Sequence, residues 1–146
     1  MIVFLDTTAL AAVCMDGPRG AKIRSLLKRE QGEGLVVAEA TQVEFAAFLR
    51  DLRDEGTPME SLGEIAATYT GMVASGLILT GDTEDAVGLV VNYPLEPAQA
   101  MVLAAAIGLR DRVRRNTALV PDPVLFLSLD SALRAAAEAE GFPVGP

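Results

Sequence analysis

The sequence predicts an α/β domain of three layers, α/β/α, around a mainly parallel central sheet of four to five strands. Three observations carry this. The chain opens on an uninterrupted apolar run, Ile2 to Leu5, with no room before it for a hairpin partner. Such a run reads as a strand buried on both faces at the centre of a parallel sheet. Similar short runs recur, each separated from the next by longer stretches with helical periodicity, the order expected of crossover-connected parallel strands. Lastly, two runs end alike, in Leu5-Asp6-Thr7-Thr8 and Leu127-Ser128-Leu129-Asp130, with acids and hydroxyls just past buried positions.

A chain of 146 residues suits one domain, residues 1–146, with a core that needs no disulfide staples. Apolar residues make up 51% and charged residues 22%, proportions that fit a globular domain and argue against disorder. The single cysteine, Cys14, excludes an internal disulfide. No segment is long and apolar enough to span a bilayer, and the opening run is too short for a signal peptide. A soluble cytoplasmic protein with no membrane partner is the expectation. The formal net charge of −8 counts against general nucleic-acid affinity. Its distribution is uneven, however. Arg19, Lys22, Arg24, Lys28 and Arg29 share one segment, and Arg110, Arg112, Arg114 and Arg115 another. From Asp54 to Leu109 there is no Lys or Arg and there are eight acids, which suggests two faces of opposite sign. Solvated helix surfaces and a nucleic-acid footprint both fit that pattern.

After the first strand, Ala9 to Val13 reads as a short helix, and Gly17-Pro18 as the break before another. Pro18 suits a first helical turn, and Ile23, Leu26 and Leu27 give a buried stripe running to Glu30. Gly32 and Gly34 end that helix and lead into the strand Leu35 to Ala38. Thr41, with Glu44 three residues on, has the capping-box spacing and opens a helix carrying Val43, Phe45, Ala46, Phe48, Leu49 and Leu52. It stops near Gly56. Met59 to Ala74 forms the next helix, with Leu62, Ile65, Ala66, Tyr69 and Met72 on its apolar side, and Leu77 to Leu79 a brief strand. Asp82 or Thr83 caps a helix over Val87, Val90 and Val91. Pro97 opens an apolar helix to about Leu109, Val124 to Ser128 is the last clear buried strand, and Asp130 heads a helix to Glu140. Gly141 ends it, and Phe142-Pro143-Val144 suits a small edge strand, where proline is tolerated.

The acids carry the chemistry. Asp6 and Asp130 follow strands, and Glu44 lies near the start of a helix that follows another, so all three are expected at one edge of the sheet. Ligands bind at that edge in open parallel sheets. The chain has no histidine, which removes the usual general base and most zinc chemistry. Oxygen-only sites suit magnesium or manganese (Mg²⁺ or Mn²⁺). Each acid also has a structural reading: Asp6 and Asp130 as helix caps, Glu44 as a capping-box partner.

At this point the chain resembles the PIN-domain family, which includes toxin ribonucleases of bacterial and archaeal toxin–antitoxin pairs. Phe4 to Leu10 resembles the family's opening strand with its Asp and following hydroxyl, and Thr41 to Ala46 the helix that supplies its Glu. Phe126 to Leu133, with Ala135 to Ala137 and Gly141-Phe142, resembles its closing strand, Asp and helix. The resemblance runs along almost the whole chain. It implies a Mg²⁺- or Mn²⁺-dependent endoribonuclease in which Asp6, Glu44 and Asp130 hold the metal. Thr8 and Ser128 would orient the ligands or the water from behind. It further implies RNA as substrate, an antitoxin protein as inhibitor, and a homodimer. The departure is Gln99, in Pro97 to Ala104, where the family's helix normally begins with an Asp. An amide oxygen accepts hydrogen bonds but brings no charge. Gln99 is expected to be a weak ligand or to orient one, with Glu96 three residues earlier as a compensating acid; a plain polar helix-start residue is the other reading.

Two rivals stand beside the ribonuclease: a degenerate PIN-like domain that binds RNA or protein without cutting, and a nuclease acting on DNA. Other α/β families fail on their own residues. A haloacid-dehalogenase-like phosphatase needs a second Asp where Thr8 stands, and a receiver domain needs a late lysine, whereas none occurs beyond Lys28. No glycine-rich phosphate loop is present either.

Overall fold

Among the described residues, seven helices and four strands follow one another in the order foreseen. In a computed structural model, which describes residues 1–30, 35–116 and 124–145, the chain runs β1 (Ile2–Leu5), α1 (Thr7–Cys14), α2 (Pro18–Arg29), β2 (Leu35–Ala38), α3 (Glu39–Asp54) and α4 (Met59–Ala74). It continues through β3 (Leu77–Leu79), α5 (Thr83–Asn92), α6 (Pro97–Asn116), β4 (Val124–Leu127) and α7 (Ser131–Ala139). The helix stop read at Gly32 and Gly34 lies outside the described residues.

The sheet is parallel throughout, in the order β3-β2-β1-β4. Phe4 sits opposite Val36 on one side and Phe126 on the other, so the opening strand is central, as its apolar run requires. The expected edge strand is reduced to one parallel bridge, Val144 to Phe126, with the Phe126 N–H donating to Pro143 O at 2.9 Å. Alternate strand residues feed two cores. Phe4, Val36, Ala38 and Phe126 pack with α5, α6 and α7, where Phe4 and Phe126 stack with ring centroids 5.6 Å apart. Val3, Leu5, Val37 and Leu127 pack against α1, α2, Phe45 of α3 and Ile65 of α4. This is the three-layer α/β/α fold.

Several helices differ from the sequence reading in bounds or face. In α5 the buried residues are Ala86 and Leu89, whereas Val87, Val90 and Val91 face outward. Val43 of α3 is likewise exposed. α6 runs past Leu109 through the arginine cluster to Asn116, its last turn carrying Arg114 and Arg115, which suit a helix C-terminus. At Gly20 the backbone of α2 presses on the end of α1: a Cβ would lie 2.1 Å from Ala12 O. Arg24, one turn on, donates to Val13 O at 2.9 Å and Met15 O at 3.1 Å, satisfying carbonyls that α1 leaves open.

Candidate functional site at the switch point of the sheet

From β1 the chain builds outward through β2 to β3, then returns to add β4 on the other side. The strand order therefore reverses between β1 and β4, the position at which open α/β sheets bind ligands. Asp6 ends β1 at that point and is 1% exposed. Its Oδ1 accepts the Ala9 N–H at 2.8 Å, so Asp6 does cap α1. The cap uses only part of the carboxylate. Thr8 Oγ1 lies 2.8 Å from both oxygens, and Ser128 Oγ donates to Oδ2 at 2.6 Å. Both hydroxyls are held in turn: Thr8 Oγ1 accepts the Leu129 N–H at 2.8 Å, and Ser128 Oγ accepts the Asp130 N–H at 3.1 Å. The loop after β4 and the first turn of α1 thus clamp the acid after β1, through Ser128 and Thr8. Burial pushes the Asp6 carboxyl up to about 6; bonds from Ser128, Ala9 and Thr8 oppose the rise, and the nearby Glu44 charge adds to it.

Glu44 reaches this site from α3, but not as a capping-box partner. The helix begins at Glu39, directly out of β2, with Ala38 at the N-cap and no side-chain cap bond. Thr41 and Glu44 are therefore one turn apart inside the helix, a spacing that also satisfies the capping-box pattern. Glu39 suits the first turn, where a carboxylate meets the positive end of the helix dipole, and Thr80 donates to it at 2.7 Å. Thr41 is fully buried. Thr7 Oγ1 donates to Glu44 Oε1 at 2.7 Å and lies 3.3 Å from Thr41 Oγ1. Thr7 carries no role in the sequence pattern taken alone. Its signal was the doubled threonine after Asp6: Thr8 turns to Asp6 and Thr7 to Glu44.

Asp130 caps α7, its Oδ1 accepting the Leu133 N–H at 2.9 Å. Gln99 is spoken for locally as well. Its Oε1 accepts the Glu96 N–H at 2.9 Å, the back-bond of a capping box at the third position of α6. Among the described residues no hydrogen bond joins Gln99 to Asp6, Glu44 or Asp130. Nor do three or more acids, cysteines or histidines group as a metal cage among them. Asp6 and Glu44 do come together, beside the hydroxyls of Thr7, Thr8 and Ser128. An all-oxygen set with two carboxylates fits Mg²⁺, which is commonly held by one or two carboxylates, with water and substrate phosphate completing its shell.

Two cations of the basic segments have structural work. Arg24 binds the end of α1. Arg110 is 8% exposed, donates to Glu140 O, and lays its guanidinium 4.2 Å over the Phe142 ring. It ties α6 to the end of α7 and is not on offer to a ligand.

Fold and site together define a three-layer α/β protein with a buried acid at its sheet switch point. No family model matches the sequence, and no curated protein matches it. Among solved structures, the chain is similar to PAE2754 from Pyrobaculum aerophilum, with a TM-score of 0.64 over 99% of this chain and 83% of that one. Sequence identity is 15%, so the likeness is one of fold. None of the described helices is long and apolar enough to cross a membrane.

Proposed function

We propose that this chain is a PIN-like, Mg²⁺- or Mn²⁺-dependent endoribonuclease. The observation that carries the reading is the Asp6–Glu44 pair: two acids from different elements, one buried, set at the ligand-binding edge of the sheet. Burying one carboxylate beside another is costly unless a cation joins them. Asp6 and Glu44 would hold the ion, with Asp130 as the third acid that the resemblance implies. When bound, the ion makes water nucleophilic at neutral pH and screens the phosphodiester. Thr8 and Ser128 fix the two oxygens of Asp6, and Thr7 fixes Glu44, so the acids are oriented beforehand. RNA as substrate, an antitoxin protein as inhibitor, a homodimer and a cytoplasmic location belong to the same proposal and rest on the resemblance.

The test is cleavage of a mixed-sequence single-stranded RNA with Mn²⁺ by wild type, Asp6→Ala and Asp6→Asn, with folding followed by circular dichroism. Cleavage by the wild type and its loss in both folded variants is the expected result. Equal cleavage by all three would remove the site assignment. The degenerate, non-cutting domain is favoured by one observation, the engagement of the Gln99 amide as a helix cap where the family's pattern has an acid. Adding Gln99→Asp to the assay separates the readings: an inert wild type beside an active variant selects the degenerate one. Single-stranded DNA of the same sequence tests the DNA reading.

A further inference from the structure

Against the loop that clamps Asp6 lies a groove of about 300 Å³ lined by Arg19 and Lys22 of α2, Arg134 of α7, and Leu129. Most other arginines that the structure ties down are neutralised or occupied. Arg50 and Arg53 pair with the adjacent Asp51 and Asp54, and Arg24 and Arg110 bind carbonyls. Among the described residues, no carboxylate forms an ion pair with Arg19, Lys22 or Arg134. Three cations from two helices thus line one concavity with no ion-pair partner among the described residues, in a chain whose net charge is −8. Like charges gathered in one concavity repel, and an anion between them relieves that repulsion. The position matters as much as the charge. Leu129, on the groove wall, donates its N–H to the Thr8 hydroxyl that holds Asp6, and it follows Ser128, which holds the other oxygen.

We propose that this groove binds the phosphodiester backbone of single-stranded RNA and leads it to the switch-point acids. The inference rests on the ribonuclease reading and adds to it the path of the substrate. A polyanion approaching Asp6 and Glu44 meets repulsion, so its affinity has to come from neighbouring cations, and the fold sets these three against the loop that clamps Asp6. Arg19 of α2 and Arg134 of α7 offer planar forks suited to phosphate oxygens, and Lys22, one turn from Arg19 on α2, adds a point charge. Contacts of this kind fix register and carry no base preference.

The experiment is fluorescence anisotropy of a short labelled single-stranded RNA in EDTA, where cleavage does not interfere, at about 50 and 200 mM salt. It compares wild type with Arg19→Gln/Arg134→Gln, with the single exposed change Lys22→Gln, and with Arg50→Gln/Arg53→Gln as a control. The double groove variant is expected to bind roughly tenfold or more weakly, its salt slope falling by about 1.4, or about 0.7 per lost phosphate contact. Lys22→Gln should move affinity in the same direction by less, and the control should bind as wild type does. Wild-type affinity in the groove variants, or no binding by the wild type, overturns the proposal. Repeating the set with Mn²⁺ keeps the two readings apart. Groove-dependent binding without cleavage retains the groove and removes the nuclease; cleavage and binding indifferent to the groove variants do the reverse.

Discussion

Asp6 is a destabilising residue at neutral pH. Its carboxyl is raised to about 6 from 3.8, so between those values the folded chain binds more protons than the unfolded one. Stability is then fully present below about pH 4 and is lost as pH rises through about 6. The loss above pH 6 is up to about 3 kcal/mol, the shift taken at about 1.4 kcal/mol per unit. Asp6→Asn removes the charge and keeps an oxygen for the Ala9 N–H, while the Ser128 and Thr8 hydroxyls can turn to accept from the new amide. Its melting temperature is expected to exceed the wild type's by several degrees at pH 7.5, and the gap should close near pH 4. A gap that does not change with pH would show that the charge of Asp6 is not what destabilises the fold. Asp6 and its two hydroxyls were legible in the sequence, because two buried strands end alike in an acid and a hydroxyl, a repetition that capping alone does not call for. Their bonding was not: Ser128 and Asp6 are 122 positions apart. Arg110 was misleading in the other direction, since a cationic cluster reads as solvated surface unless an aromatic such as Phe142 is known to lie beneath it.

At the scale of elements, the strands were read almost to the residue, because a strand buried on both faces is a plain apolar run. Helix faces were read less well. In α5, Ala86 to Val91 is apolar apart from Gly88, so periodicity could not say that Ala86 and Leu89 turn inward rather than Val87, Val90 and Val91. The start of α3 was misplaced because Thr41 and Glu44 meet the capping spacing by being one turn apart. Two glycines give the contacts between helices a test. Gly20→Ala forces a methyl against the Ala12 carbonyl and should cost about 1–3 kcal/mol. Gly71→Ala, within α4 and with open space around it, should stabilise by about 0.4–1 kcal/mol. Urea denaturation of both variants decides it; effects of the same sign would mean that the α1–α2 contact does not control this part of the fold.

For the molecule as a whole, the sheet order predicts a gradient of protection. β1 is bonded on both sides and its residues from Val3 to Leu5 are at most 2% exposed, whereas on β3 Leu77 and Ile78 are 51% and 39% exposed. Native-state hydrogen exchange should be slowest for Val3 to Leu5 and many-fold faster on β3. Equal rates would mean that the sheet opens only as a unit. The same topology sets when the site can exist. A nascent chain extended as far as Asn116 already carries Asp6, Thr7 and Glu44, yet β1 is then an edge strand, and neither Ser128 nor the Leu129 amide is present to clamp the acid. Contacts of such long sequence separation form late, since the intervening loop must close before they are rewarded. Until β4 emerges, the acids and hydroxyls of the site are therefore not yet assembled. Docking of β4 against β1 is the event that completes it.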